Sequence, residues 1–89
     1  MLFRSLNIDA VDEKIKSFAR NWEWERISLV DRNIMRVAVY EMLFDMEVPP
    51  IVSINEGVEI ARDYADEKSA NFINGVLNAV KDSLDRPER

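Results

Sequence analysis

Apolar residues recur every three or four positions along most of this 89-residue chain, the spacing of helices that bury one face. Ile8, Val11, Ile15, Phe18 and Trp22 form the first stripe, and Asn7 or Asp9 stands where a cap would open it. The stripe breaks at Asn21 to Trp24, where the run Asn-Trp-Glu-Trp-Glu-Arg reads as a connection. Trp22 and Trp24 lie two apart and cannot share a helical face. One is expected in the core, the other at the turn or at an interface.

A second helix is predicted to begin at Ser28, whose hydroxyl would take a free N–H, with Asp31 in the positive first turn. From Leu29 to Met46 apolar residues fall on nearly every face, which describes a central helix contacted on several sides. Val48-Pro49-Pro50 is expected to end it, because proline cannot continue the hydrogen-bond ladder. Ser53 and Glu56 suggest a second capping box opening a third helix, with Ile54, Val58, Ala61 and Tyr64 inward and Glu59, Arg62, Asp63 and Glu67 outward. Ala65 to Lys68 form the next turn. Asp66 caps a last helix that carries Ile73, Val76, Leu77, Val80 and Leu84. No segment alternates with period two. The fold class is therefore all-α, a small bundle of about four helices with short connections.

Composition narrows the chemistry. The chain holds no cysteine and no histidine, which removes disulfides, thiolate sites and the commonest general base and metal ligand. No carboxylate pair sits in a catalytic pattern; Asp66 and Glu67 read as turn and cap. An enzyme is not expected, nor is a cofactor or a metal. With 17 acidic and 12 basic residues the net charge is −5, a poor footprint for a protein that grips nucleic acid unaided. Such a surface suits docking onto a basic protein, or solubility alone. The opening residues do not read as a secretory signal and no apolar run spans a bilayer, so the cytoplasm is the expected location.

Several residues exceed what a core requires. Arg36 and Glu41 sit amid apolar neighbours on the second helix, and a buried charge needs a partner. They lie five apart and do not face each other. Glu56 or Glu59 would serve Arg36, and the pair reads as structural before it reads as a binding feature. Asp31 is a helix-dipole residue or, projecting at a bundle end, a docking residue. Gly75 interrupts an apolar helical pattern, which predicts close approach by a neighbouring helix or a ligand. Phe72 is either core or, flanked by Lys68, Ser69, Asn71 and Asn74, a platform for an unpaired base. Asn71 and Asn74 either offer amides on one face or decorate the solvent side.

The strings Arg26 to Leu43, Val48 to Ala61 and Ser69 to Leu77 resemble the C-terminal half of the NusB transcription antitermination factors. The same fold resembles the RNA-binding domain preceding some ribosomal RNA cytosine methyltransferases. The likeness covers roughly Val11 to Val80. It implies a helical, non-enzymatic adaptor for transcription antitermination or termination control. It implies pairing with a small-subunit ribosomal protein (the NusE role), the two together holding boxA-type single-stranded RNA. Carried over by position, Asp31 falls at an acidic site linked to the ribosomal-protein contact. Phe72 matches an aromatic near the RNA surface, with Lys68, Ser69 and Asn71 around it. Arg36, Glu41, Asn55, Glu56, Asn74 and Gly75 match the motif mostly as architecture.

The resemblance also sets a contrast. Family members carry an N-terminal helical subdomain with an arginine-rich opening, whereas only Met1 to Asn7 precede the first stripe here, with Arg4 the lone base. The expected organisation is one NusB-like domain over residues 1–89, without that subdomain, ending in a frayed tail at 85–89. RNA binding is expected to be weak for the chain alone. The face that the subdomain would cover is expected either to drive homo-oligomer formation or to be closed by the first helix. Two alternatives stand beside the adaptor: a protein-only interaction module that has lost RNA binding, and an RNA-targeting domain of the methyltransferase type.

Overall fold

The computed structural model describes the backbone of residues 2–84 and the side chains of residues 8–84. The predicted tail at 85–89 lies outside the described residues. Four helices follow one another: α1 (Leu2–Phe18), α2 (Leu29–Phe44), α3 (Pro50–Tyr64) and α4 (Glu67–Ser83), with a short 3-10 turn at Trp24–Arg26 between the first two. The all-α bundle expected from the apolar spacing is the fold observed.

Where a polar side chain sits at a helix start, its local chemistry decides the boundary. The Asp31 N–H donates to Ser28 Oγ at 3.1 Å, and the Ser69 N–H donates to Asp66 Oδ1 at 2.7 Å. Both caps therefore form as the sequence suggests. Three other boundaries differ. α1 runs through Asn7 and Asp9 without a cap at either, since nothing from Leu2 to Asp9 breaks a helix. α2 stops at Phe44, before the prolines, because Asp45 Oδ1 accepts the Glu47 N–H at 3.1 Å and turns the chain out early. α3 begins at Pro50, not at a Ser53 box. Proline suits the first helical position, where its missing N–H costs nothing and its φ is already helical.

That shift gives Ser53 another task. It is buried inside α3, and its hydroxyl donates to Glu41 Oε1 at 2.7 Å, tying α3 to α2. Arg36 also finds a partner across helices, but it is Asp12 of α1, not Glu56 or Glu59. Nε donates to Asp12 Oδ1 at 2.7 Å and Nη2 to Oδ2 at 3.0 Å. The carboxylates of α3 stay exposed, whereas α1 packs directly on α2. Arg36 and Glu41 thus both lock helix to helix, the structural reading of the pair.

The core is one cluster. Val11 and Ile15 of α1 meet Met35, Ala38, Val39 and Met42 of α2, Ile54 and Ala61 of α3, and Ala70, Ile73, Val76, Leu77 and Val80 of α4. α2 packs against all three other helices, as a central helix should. Tyr64 departs from its expected inward place. It is the last residue of α3, past the end of the packing, and is 80% exposed.

The close approach expected at Gly75 occurs instead at Gly57. A Cβ at Gly57 would stand 3.3 Å from Ile34 Cγ2 and 3.6 Å from Leu77 Cδ1, so a bare backbone lets α2, α3 and α4 converge. A Cβ at Gly75 would meet nothing within 4 Å. Gly75→Ala is therefore expected to stabilise the chain by about 0.5–1 kcal/mol, since alanine loses less backbone freedom in a helix. The check is a thermal melt, expected to move up by a few degrees; a lowered midpoint would contradict the open space.

Candidate functional site

The first turns of α2 and α4 meet at one end of the bundle, and their caps bring the candidate residues together. Ser69 lies in the first turn of α4, held by Asp66, and its hydroxyl donates to Asp31 Oδ2 at 3.1 Å. Asp31 is turned inward and is only 8% exposed, and its Oδ1 is buried without a hydrogen-bond partner. Asp31 therefore has little surface to present. What it can do chemically is accept from Ser69 and so fix the first turn of α4 against α2.

Phe72 follows one turn later. Its ring is half-buried and takes the edge of Trp22, with centroids 4.8 Å apart and planes at 63°. It is neither a pure core residue nor a free platform. Trp22 lies beyond the end of α1 and is 55% exposed, so the larger open aromatic surface of the pair is the indole. Lys68 and Asn71 are exposed on the same turns of α4. The helical step places Lys68, Phe72 and the bare backbone of Gly75 along one strip. Asn74 does not join it. Asn74 accepts from Asn78 Nδ2 at its backbone oxygen (2.8 Å) and at Oδ1 (2.9 Å), along the helix.

Lys68, Ser69, Asn71, Phe72 and Asp31 are thus contiguous, and Trp22 completes them. Two tryptophans two apart signalled that one must lie outside the core. Only the tertiary fold reveals that the outer one rests on Phe72.

The other indole is surrounded by cations. Trp24 is half-buried, with Lys16 Nζ 5.2 Å, Arg32 Cζ 5.5 Å and Arg36 Cζ 5.6 Å from its ring centre. The hydrogen bond from Arg36 to Asp12 raises the arginine pKa, burial acts against it, and the nearby carboxylate charge raises it further.

A second surface stands apart from this end. The side of α2 turned away from the core carries Val30, Val37, Tyr40 and Phe44, all exposed, with Asn33 the polar residue among them. Their alternating spacings of three and four residues match a heptad seam. The stripe borders a groove of about 270 Å³ between α2 and α3, lined by Ile34, Val37, Glu41, Gly57 and Ile60 among others. α1 does not close this face, since Val37 remains 61% exposed. Among the described residues no three ligating side chains gather to hold a metal, and no helix is long and apolar enough to cross a membrane.

Residues 6–82 match the model of the NusB family. The chain is 54% identical over 78 residues to the Bacillus cereus (strain B4264) transcription antitermination protein NusB, and the match covers 88% of this chain and 60% of the relative. The proteins of that name from Bacillus thuringiensis (strain Al Hakam) and Bacillus anthracis (strain CDC 684 / NRRL 3495) are 53% identical over the same length and with the same coverage. The chain therefore spans about three fifths of the length of these relatives.

Proposed function

The chain belongs to the NusB family, and from that premise we propose that it works by binding, as an adaptor in transcription antitermination. In this reading it pairs with a basic small-subunit ribosomal protein in the NusE role, and the two together hold boxA-type single-stranded RNA. The observation that carries the reading is the contiguity of Lys68, Ser69, Asn71 and Phe72 with Trp22 and the Asp31 contact. Exposed aromatic surface beside amide, hydroxyl and ammonium groups is what unpaired bases stack on and bond to. The net charge of −5 supports the division of labour: the partner supplies the cationic field, and this chain supplies the shaped edge.

The experiment is an RNA titration of the chain alone and of its complex with the ribosomal protein, over several salt concentrations. Weak binding alone, tight binding together and a steady loss of affinity with salt are expected. Equal affinities with and without the partner would overturn the division of labour, and no binding by the complex would overturn the RNA role.

The outward stripe of α2 favours a second, protein-contacting role. An apolar face of this kind marks an interface, and its heptad spacing suits a second copy across a two-fold axis. Sedimentation of the chain tests it in the same samples: a concentration-dependent dimer supports it, and a monomer at all concentrations removes it.

A further inference from the structure

The cations around Trp24 have no part in the reading above, and they are not equally neutralised. Arg36 is matched by the two-pronged contact with Asp12. Lys16 has Glu13 at 3.9 Å, a loose surface pairing. Arg32 makes no ion pair within the described residues, and its Nε is buried without a hydrogen-bond partner. A buried donor left unmade is costly, and the terminal Nη groups, which are not among the buried unpartnered atoms, are the part of the guanidinium that an acceptor from solvent can reach. The guanidinium lies 5.5 Å from the centre of the Trp24 ring. Held over the ring and not in an ion pair, the guanidinium keeps its terminal N–H groups unmatched, and that planar fork fits an oxyanion. Lys16 Nζ at the same ring adds a second positive charge.

The location connects this wedge to the candidate edge. Arg32 follows Asp31, which holds Ser69, and Trp24 lies two residues from Trp22, which holds Phe72. Along the chain, Arg32 and Trp24 thus lie near the two residues that hold the candidate edge. We infer that Arg32, braced on Trp24 with Lys16 beside it, is an anion site that takes one phosphate of the bound single-stranded RNA. The inference rests on the RNA reading above and adds to it the anchor for the backbone in a chain that is otherwise acidic.

The test uses the complex with the ribosomal protein and measures RNA affinity against salt for the native chain, Arg32→Gln, Arg32→Lys and Arg36→Gln. One lost phosphate contact on a single strand makes the slope of log K against log salt shallower by about 0.7. Arg32→Gln is expected to show that change and to weaken different RNA sequences by a similar factor. Arg32→Lys keeps the charge and should keep the native slope. Arg36→Gln removes a charge already matched by Asp12, so its slope should stay native.

An unchanged slope in Arg32→Gln, with the native complex binding RNA normally, overturns this inference and leaves the adaptor reading standing. Failure of the native complex to bind RNA overturns both. Weaker capture of the ribosomal protein by Arg32→Gln, with the RNA slope intact, assigns Arg32 to a protein carboxylate and also overturns it.

Discussion

Leu77→Ala is expected to remove a large share of the stability of the fold. Leu77 is fully buried where α4 faces α2 and α3, and its Cδ1 lies 3.6 Å from where a Cβ on Gly57 would stand. Truncating a buried leucine loses the transfer energy of its methyl groups and leaves a cavity that close-packed neighbours fill only in part, at about 2–5 kcal/mol. A chain of this size has about 4–13 kcal/mol in total, so a large share of it is at stake. Urea unfolding is the check, with a midpoint shifted strongly down and a slope close to native. Ile51→Ala serves as comparison, because Ile51 is exposed and should lose far less. Equal losses at the two positions would mean that the three-helix junction at Gly57 is not the centre of the core.

Phe72→Ala carries the largest expected effect on binding. If the aromatic edge stacks an unpaired base, removing the ring costs about 1–3 kcal/mol of RNA affinity, or about 5- to 150-fold. Alanine also takes away packing against Trp22 and the core, so Phe72→Leu is needed beside it. Leucine fills the space and has no π-face. Both variants are expected to weaken RNA binding by the complex while leaving capture of the ribosomal protein near native. Trp22→Ala should act in the same direction, and the double variant should cost less than the sum, because the two rings support one another. Full RNA affinity in Phe72→Leu would show that the phenyl ring only packs, and would favour the protein-only reading.

Much of this architecture is legible from local chemistry. The caps at Ser28 and Asp66 need only a polar side chain three residues ahead of a free N–H, and both form. The apolar stripes of α1, α3 and α4 name much of the core, whereas α2, apolar on nearly every face, does not show in sequence that Val30, Val37, Tyr40 and Phe44 stay outside it. The misread positions depend on competition or on distance along the chain. Ser53 looks like a cap until Pro50 begins the helix first, and then its hydroxyl reaches Glu41 instead. Asp12 and Arg36 are 24 residues apart, and no local pattern joins them. Gly57 and Gly75 are alike in sequence, and only packing separates a crowded glycine from an open one. At the candidate site, the α4 residues were legible as a group. The contributions of Trp22 and of the inward-turned Asp31 emerge only where helix ends meet in three dimensions.

The most direct test of the binding edge is to assign the backbone amides of the chain in its complex with the ribosomal protein and add single-stranded RNA. Shifts gathered at Lys68, Ser69, Asn71 and Phe72, spreading to Trp22 and Arg32, are the predicted result. Shifts confined to the α2–α3 groove around Val37 and Ile60, with the first turns of α4 undisturbed, would contradict it.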